Sequence, residues 1–476
     1  MARHGVYVSE QSTSVSVPVV AESGIPFVIG AAPIQAAENP AKIKRPILCI
    51  SFDDAKAKLG YSDDWVKYNL CEFMDSHFNR FQKQPVIFVN LLDPANATMV
   101  QSVAAADIDV VNHRAALPFE AINDDTLVVK KGGGAGDALV KDTDYAVIYQ
   151  GDKCYIEVLP DGAGYTQTKL NIAYTKVKPD AVTGTVVATG MESIDLCMGT
   201  LGIVPDLVCS PGYSMEAATA AAITAKASSI NGMFKAKALI DISTKAAGGA
   251  TTYDAVAGVK AANNFVDENQ IICWPKLKLG DKVYHLSTQL AGRIASTDTD
   301  NDGCPYESPS NKALKCDSVI LDNGDEVVLT NSQANALHEI GVVTAFSFMG
   351  EFVAWGNYTA CYPMDTDVKN FMIPIARMFA WVGNTLIKTF WKKVSKPAKR
   401  RLVDSIIDAT NIWLNGLIGA EYVLGARVEL RESDNPLTDL MMGIIRPRIF
   451  ITPPPPLQEL EFLLEYDIKY VESALM

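Results

Sequence analysis

A short acidic run, residues 298–302, is the first place where side chains of one type could do chemistry together. Its order Asp-Thr-Asp-Asn-Asp, followed by Gly303, imitates the start of a calcium-binding loop, which holds the ion with closely spaced carboxylates. A complete EF-hand loop also needs glutamate at its twelfth position, and that position holds Pro309. We therefore interpret the run as a surface loop.

The other residues that could take part in catalysis or bind a ligand form no catalytic pattern. The glycine-rich residues 132–136 lack the following Lys-Ser/Thr of a phosphate-binding loop. The five histidines show no metal-ligand spacing, so His285 is interpreted as a packing residue, and no G-x-S-x-G is present. The nine cysteines form no C-x-x-C pair, which predicts buried, reduced thiols in a protein made in the cytosol. We expect no catalytic residue, no metal and no cofactor.

Length and charge narrow the class of protein. A chain of 476 residues is long enough for about three domains and a large core. A net charge of −13 argues against nucleic acid or an anionic membrane as a partner over the whole surface. The longest apolar stretch, residues 340–356, is broken by Glu351, which predicts core and no direct membrane insertion. The beginning of the chain lacks the apolar segment of a signal peptide.

The elements that position any site follow an α/β rhythm with one interruption. Strands are predicted over residues 85–92, 207–210, 238–242 and 271–274, with helices over 64–81, 214–234, 253–264 and 286–296. Strands that alternate with helices predict a largely parallel sheet. Residues 97–190 are instead rich in Gly, Thr, Asp and Val, and they contain a hairpin, 145–149 with 154–158.

The expected fold is therefore a multi-domain α/β protein with a β-rich insertion and a C-terminal α+β domain with strand-exchanging terminal arms. The predicted parts are an extended arm (1–20), an α/β core (21–96 and 191–350), an inserted β-rich outer domain (97–190), a C-terminal α+β domain (351–456) and a C-terminal strand arm (457–476).

The C-terminal end of the chain has the most informative pattern. After a predicted helix over 397–418 and strands over 426–431 and 448–452, residues 459–470 alternate apolar and mostly charged side chains, which predicts a long strand. The prolines at 453–456 form a stiff spacer before it. The strand closes the chain's own sheet or completes a neighbour's sheet. The alternating N-terminal arm favours the second interpretation, because two linking ends suit a helical polymer.

A basic run with no acidic residue lies between positions 388 and 401. It is a solvated helix end or a contact surface for an acidic partner. Nucleic acid is not supported as that partner, because no stacking aromatic residues or recognition motif accompany the run. Its members are Lys388, Lys392, Lys393, Lys396, Lys399, Arg400 and Arg401.

Several segments resemble the contractile tail sheath family of phages and phage-tail-like particles. The similar segments are 5–10 (GVYVSE), 274–292 (WPKLKLGDKVYHLSTQLAG), 305–311 (PYESPSN), 355–361 (WGNYTAC), 381–384 (WVGN), 411–416 (NIWLNG) and 434–439 (DNPLTD). The resemblance covers the N-terminal arm, the core and most of 195–476, and it is weakest over 97–190.

The resemblance implies a structural subunit that polymerises helically in stacked rings around an inner tube, contracts, and drives the tube through a cell envelope. It implies the inner tube, baseplate and terminator proteins as partners, and a virion or phage-tail-like particle assembled in the bacterial host cytoplasm as the location. The basic run would then contact the tube. The implied linking arms are Val6, Tyr7, Val8, Ser9, Leu460, Phe462, Leu464, Tyr466, Ile468 and Tyr470, and the implied acceptor strands hold Arg427, Val428, Glu429, Leu430, Arg448, Ile449, Phe450 and Ile451.

Two other functions stay open on the sequence. A parallel sheet also suits a nucleotide-binding α/β enzyme, although the glycine fingerprint of such enzymes is missing. The extended ends also suit a shell polymer that does not contract.

Overall fold

A computed structural model describes residues 18–134, 136–468, 470 and 475. Its strands, in chain order, are β1 (Pro26–Gly30), β2 (Ile47–Cys49), β3 (Val86–Asn90), β4 (Val100–Val111), β5 (Arg114–Pro118), β6 (Val128–Lys131), β7 (Tyr145–Gln150), β8 (Lys153–Val158), β9 (Lys169–Val177), β10 (Leu207–Cys209), β11 (Lys237–Asp241), β12 (Gln270–Cys273), β13 (Lys276–Leu279), β14 (Lys282–His285), β15 (Lys312–Ala313), β16 (Ser318–Ile320), β17 (Val342–Ser347), β18 (Phe352–Trp355), β19 (Gly425–Glu429) and β20 (Arg448–Thr452).

The helices complete a mixed α/β architecture, as expected from the sequence. They are α1 (Phe52–Leu59), α2 (Asn69–Met74), α3 (Gly184–Gly190), α4 (Cys197–Leu201), α5 (Ala217–Ser228), α6 (Tyr253–Ala262), α7 (Leu286–Asp300), α8 (Asn331–His338), α9 (Val368–Phe371), α10 (Ile373–Phe390), α11 (Arg400–Gly419) and α12 (Leu437–Met441). Helix α2 continues as a π-helix over Asp75–Arg80.

The largest sheet has nine strands in the order β15-β18-β17-β12-β11-β10-β1-β3-β2. From β3 across to β17 all neighbouring strands are parallel, and the other pairs are antiparallel. Successive side chains of its strands enter opposite cores, so Phe27 and Ile240 pack on one face and Val28 and Leu239 on the other. Helices cover both faces, which is why these strands are continuously apolar.

A six-stranded sheet, in the order β6-β9-β4-β5-β8-β7, lies between β3 and α3 in the chain. All of its strand pairs are antiparallel, and it includes the β7–β8 hairpin that the sequence predicted. It has its own core, centred on Leu117, Ile156 and Ile172. Helix α3, which lies within the predicted insertion of 97–190, contributes Val187 to the core of the nine-stranded sheet.

The C-terminal part pairs two long helices with a two-stranded ribbon, β19–β20. The ribbon forms where the sequence predicted strands, and α11 matches the predicted helix 397–418. The strand predicted over 459–470 is not formed in the single chain. Residues 453–467 have neither helix nor strand, and Ile468 and Tyr470 are helical. A strand needs a neighbouring strand for its backbone hydrogen bonds, and no described strand lies beside this segment.

Candidate assembly surfaces

The β19–β20 ribbon is supported from one face only. Ile449 and Ile451 pack against a cluster that includes Trp381 of α10 and Leu414 of α11. The strands are antiparallel, with Val428 opposite Ile449. An isolated two-stranded ribbon is marginal in water, so the helices are needed to hold it in place.

The two edges of the ribbon differ. The backbone N–H of Val428 points away from β20 and donates to the Asn411 side chain of α11 at 3.0 Å, which occupies the outer edge of β19. Because hydrogen bonding alternates along an antiparallel pair, the backbone groups of Ile449 and Ile451 then point away from β19. Among the described residues β20 has a strand neighbour on one edge only. The free edge of β20 can accept another strand.

The outer face of the ribbon is rich in arginine. Arg427 and Arg431 stack on the ring of Phe450, with their guanidinium carbons 4.1 and 4.8 Å from its centre. Both also bind Glu429, at 2.7 and 2.8 Å, and these hydrogen bonds lower the pKa of that carboxyl. The result is an apolar centre framed by positive charge.

Arg448 continues this face at the start of β20. Its Nε and Nη2 donate to the two carboxylate oxygens of Asp434 at 2.7 Å each, which lowers the pKa of Asp434. The sequence-predicted acceptor residues therefore lie together on one ribbon, except that Leu430 follows the end of β19.

The C-terminal arm leaves the ribbon directly after β20. Pro454–Leu460 contribute to a cleft whose other wall includes Tyr306, Asn311 and Trp355. From Leu460 onward, the large apolar side chains of the described residues are well exposed, with 64% of Leu460 and 97% of Leu464 accessible. The other exposed large apolar residues of the arm, among those described, are Leu457, Phe462, Leu463, Tyr466, Ile468, Tyr470 and Leu475. Exposed apolar side chains so close together mark an interaction surface.

The predicted N-terminal arm residues Val6, Tyr7, Val8 and Ser9 lie outside the described residues. The chain that follows them runs along α10. The N–H groups of Val19 and Ala21 donate to Thr389 and Thr385, and the indole of Trp381 donates to the carbonyl of Ala21 at 2.8 Å. The arm therefore emerges beside the helix that supports the ribbon.

The basic run divides into two parts. Lys388 is buried, with 5% of its side chain exposed, and it binds Glu22 at 2.5 Å. Arg400 lies 3.7 Å from Asp404 in an exposed pair. The remaining five residues lie at or near the surface between α10 and the first turn of α11, without an ion pair to another described residue: Lys392, Lys393, Lys396, Lys399 and Arg401.

A buried charge cluster joins the C-terminal helices to the α/β core. Arg377 of α10 binds Asp206, just before β10, at 2.6 Å, and Asp298 of α7 at 2.5 Å. Ser23 donates to the same Asp298 oxygen at 2.5 Å. Burial, together with the nearby Asp298 carboxylate, raises the pKa of Asp206 despite the attraction of Arg377. This cluster fixes α10, and so the ribbon, relative to the nine-stranded sheet.

The structure corrects our interpretation of residues 298–302 as a surface loop. Asp298 lies in the last turns of α7 and is almost fully buried, because its carboxylate holds Arg377. Sequence reasoning missed this cluster and the Asn411 bond, since neither is visible in local spacing. A signal was present in the sequence of α10. Its apolar residues predict a helix with one buried face, and Arg377 is the basic residue in the buried first half of that helix.

His285 and the cysteines, which could in principle be reactive, lie in or next to the core. His285 packs as expected, with its ring Nδ1 2.8 Å from Glu72. None of the nine cysteines is in a disulfide, and all except the partly exposed Cys316 are buried. Burial raises the pKa of several of these thiols, for example that of Cys71 to about 12, so they are poor nucleophiles.

No group of three or more His, Cys, Asp or Glu side chains in the described part of the chain could hold a metal ion. The described helices include none that is long and apolar enough to cross a membrane.

The chain has relatives among phage tail sheath proteins, although no family model matches it. It is 26% identical over 488 aligned residues to the tail sheath protein of Burkholderia phage BcepMu, which covers 98% of this chain and 97% of that protein. It is 28% identical over 145 residues to the major tail sheath protein of Serratia phage KSP20, which covers 30% of this chain and 35% of that protein.

Solved sheath structures share its fold. The anti-feeding prophage helical sheath in the contracted state aligns with a TM-score of 0.58 and 13% identity, over 98% of this chain and 100% of that one. The sheath complex of the extracellular contractile injection system PVC, also contracted, gives a TM-score of 0.58 and 13% identity over 99% of both chains. The chain is thus similar over almost its whole length to a tail sheath protein, and it shares the fold of solved contractile sheaths.

Proposed function

We propose that this chain is the structural subunit of a contractile tail sheath, which polymerises helically as stacked rings around an inner tube and contracts to drive the tube through a cell envelope. The observation that carries the proposal is the row of exposed apolar side chains from Leu457 to Ile468, next to a two-stranded ribbon in which β20 has only one strand neighbour among the described residues. An apolar segment and a free strand edge in one chain are a hazard unless other copies cover them.

Strand addition supplies the link between copies. The arm of one subunit would add to the ribbon of another, and the N-terminal arm, emerging beside α10, would reach a different neighbour. Such head-to-tail contacts build a helix when the rotation between copies does not close a ring. A ladder of strand contacts, about 0.2–1 kcal/mol each, can stay intact while other contacts between rings are exchanged. The free energy for contraction would be stored in the extended polymer.

The remaining parts have roles that follow from their position. The exposed basic residues between α10 and α11 would contact an acidic inner tube, through weak pairs that salt can screen. The six-stranded sheet, with its own core, would decorate the outside of the sheath. The polymer would meet a baseplate at one end and a terminator at the other, in a virion or phage-tail-like particle assembled in the host cytoplasm. A solved structure of the anti-feeding prophage baseplate aligns with this chain at a TM-score of 0.58 and 14% identity.

The test is electron microscopy of the purified full-length chain beside a version truncated after Pro456. Hollow helical tubes from the full chain, and only monomers from the truncated one, are the expected result. Tubes from both would remove the arm from the proposal. A full-length chain that stays monomeric at every concentration and salt would overturn polymerisation, and nucleotide binding by that monomer would favour an α/β enzyme instead.

The same images separate a contractile sheath from a static shell. A sheath should show two ring spacings, before and after contraction around an inner tube. Polymers with one spacing under all conditions would favour the non-contractile shell.

A further inference from the structure

We propose that the C-terminal arm binds the β20 edge of a second copy in one register, with Leu463 opposite Phe450 and a glutamate of the arm opposite Arg448. This inference rests on the strand addition proposed above. It adds which face of the arm points outward and which residues select the register.

The two faces of β20 determine which side chains of the arm point toward the helices and which point outward. Side chains directly opposite on neighbouring strands lie on the same face of a sheet. Ile449 and Ile451 point toward the helices, whereas Arg448 and Phe450 lie on the outer face. An arriving arm must turn its apolar set, which includes Phe462 and Leu464, toward the helices. Its odd-numbered residues then share the outer face with Arg448 and Phe450.

The register follows from the single apolar residue that each strand carries on its otherwise polar outer face. Among the odd-numbered residues of the arm from 459 to 467, Leu463 is the apolar member between Glu461 and Glu465. On the outer face of β20, Phe450 is the apolar member between Arg448 and Thr452. When Leu463 lies opposite Phe450, one glutamate lies opposite Arg448 and the other opposite Thr452. This holds for parallel and for antiparallel addition.

Every other register that keeps the apolar set inward loses the match between Leu463 and Phe450. The period of a strand is two residues, so the nearest slip that keeps the apolar set inward moves the arm by two. That slip places a glutamate opposite Phe450. In one direction it also places Leu463 opposite Arg448, so the charge match is lost as well; in the other, Leu463 lies opposite Thr452 and Arg448 still faces an acidic residue of the arm. Arg448 can accept the correct partner, because its bonds to Asp434 use Nε and Nη2 and leave Nη1 for a second carboxylate.

The arm that binds the β20 edge comes from a second copy of the chain, because the proline spacer keeps each arm from folding back onto its own β20. Residues 453–456 are consecutive prolines directly after β20, and such a run extends by about 3.1 Å per residue. It carries the arm roughly 12 Å from the end of its own strand before the alternating segment begins. A tight hairpin back onto the same β20 edge is therefore disfavoured.

A charge swap tests the register. We expect Arg448→Glu alone, and Glu461→Lys with Glu465→Lys, each to raise the protein concentration needed for tubes by roughly three- to tenfold. Combining all three changes in one chain should return it toward the wild-type value. Asp152→Lys, at an exposed hairpin tip, is the matched control and should change nothing.

The outcomes separate this inference from the proposed function. If wild type forms tubes and the combined variant is no better than the single ones, the register is wrong and strand addition stands. If wild type forms no tubes under any condition, the proposed function itself fails.

A disulfide experiment reads the register directly and decides the strand direction. A chain with Thr452→Cys is mixed with a chain carrying Glu461→Cys, Glu465→Cys or Tyr466→Cys, and then oxidised. Antiparallel addition brings residues 452 and 461 together, and parallel addition brings 452 and 465 together, at a separation that suits a disulfide. We expect a covalent heterodimer with one of the two glutamate positions and none with residue 466, which lies on the opposite face. Equal cross-linking at all three positions would overturn the register.

Discussion

The nine-stranded sheet and the β19–β20 ribbon differ in how far their strand edges and faces are covered within the chain. In the large sheet, β10 and β11 have partners on both edges and helices over both faces. The ribbon has helices on one face and a side-chain cap on β19, and β20 has a strand neighbour on only one edge among the residues that the structure describes. The first is complete within one chain, and the second is the part that, in the proposed function, other copies complete. If that proposal holds, the fold and the assembly are encoded in separate parts of the molecule.

The largest effect is expected at the joint between these regions. Arg377→Met would leave Asp206 and Asp298 buried without their cation, and removing one partner of a buried ion cluster costs about 3–5 kcal/mol. Urea denaturation of the monomer measures the loss. The matched control is Arg427→Met, whose side chain is 60% exposed, and its effect should be within about 0.5 kcal/mol. Equal losses in the two variants would contradict the structural role of the joint.

A second pair of substitutions separates stability from assembly. Ile240→Ala in β11 removes a fully buried side chain and should cost about 2–5 kcal/mol of monomer stability. Phe462→Ala in the arm removes an exposed one and should leave monomer stability nearly unchanged while reducing tube formation. Denaturation and microscopy on the same samples check both. A destabilised monomer after the Phe462 change would show that the arm packs on its own chain.

Acid should weaken the core through His77. Burial, with a smaller effect of Lys83, lowers the pKa of His77 to about 3. Its unfolded pKa is about 6.5, so the unfolded chain binds the extra proton as the pH falls from about 6.5 toward 3, and stability decreases over that window. From pH 6.5 to 5 this residue contributes a loss of about 2 kcal/mol. His77→Phe should remove that part of the pH dependence in urea titrations. An unchanged slope would show that His77 is protonated in the folded chain.

Sequence reasoning succeeded where the signal is local. The continuous apolar runs at β11 and β12, and the alternation around the turn at Gly151-Asp152, indicate their elements directly. It failed where two distant segments meet. Asp298 and Arg377 are far apart in the chain, so the spacing of the acidic run suggested a surface loop for a residue that is buried. The alternation in the arm predicted a strand that is not formed in the single chain, where no described strand lies beside it.

The arms and the tube contact stay predictions for the same reason. The edge of β20 is visible in the structure of one chain. A strand from a second chain that would pair with this edge is not. The pattern of Leu463 and Phe450 is informative because it involves both partners. The basic run has no such counterpart in this sequence, because its proposed partner is a different protein.

The smallest effect on the monomer is expected in that run. Lys392→Glu, Lys393→Glu and Arg400→Glu together should change the free energy of unfolding by less than about 1 kcal/mol, because these side chains lie at or near the surface. Binding of sheath to a purified inner tube should nevertheless weaken. In the wild type, binding should also fall as salt is raised toward about 1 M, where the Debye length is about 3 Å.

The control must carry the same change in charge, since the chain already has a net charge of −13 and further acidity alone raises repulsion between copies. Lys42→Glu, Lys56→Glu and Lys245→Glu alter exposed lysines elsewhere on the surface. If this control weakens tube binding as much as the first variant does, the effect is one of total charge and the run between α10 and α11 has no special contact. A loss confined to the first variant makes that run the tube-facing surface, and it separates the residues that guide the sheath along its tube from those that link one copy to the next.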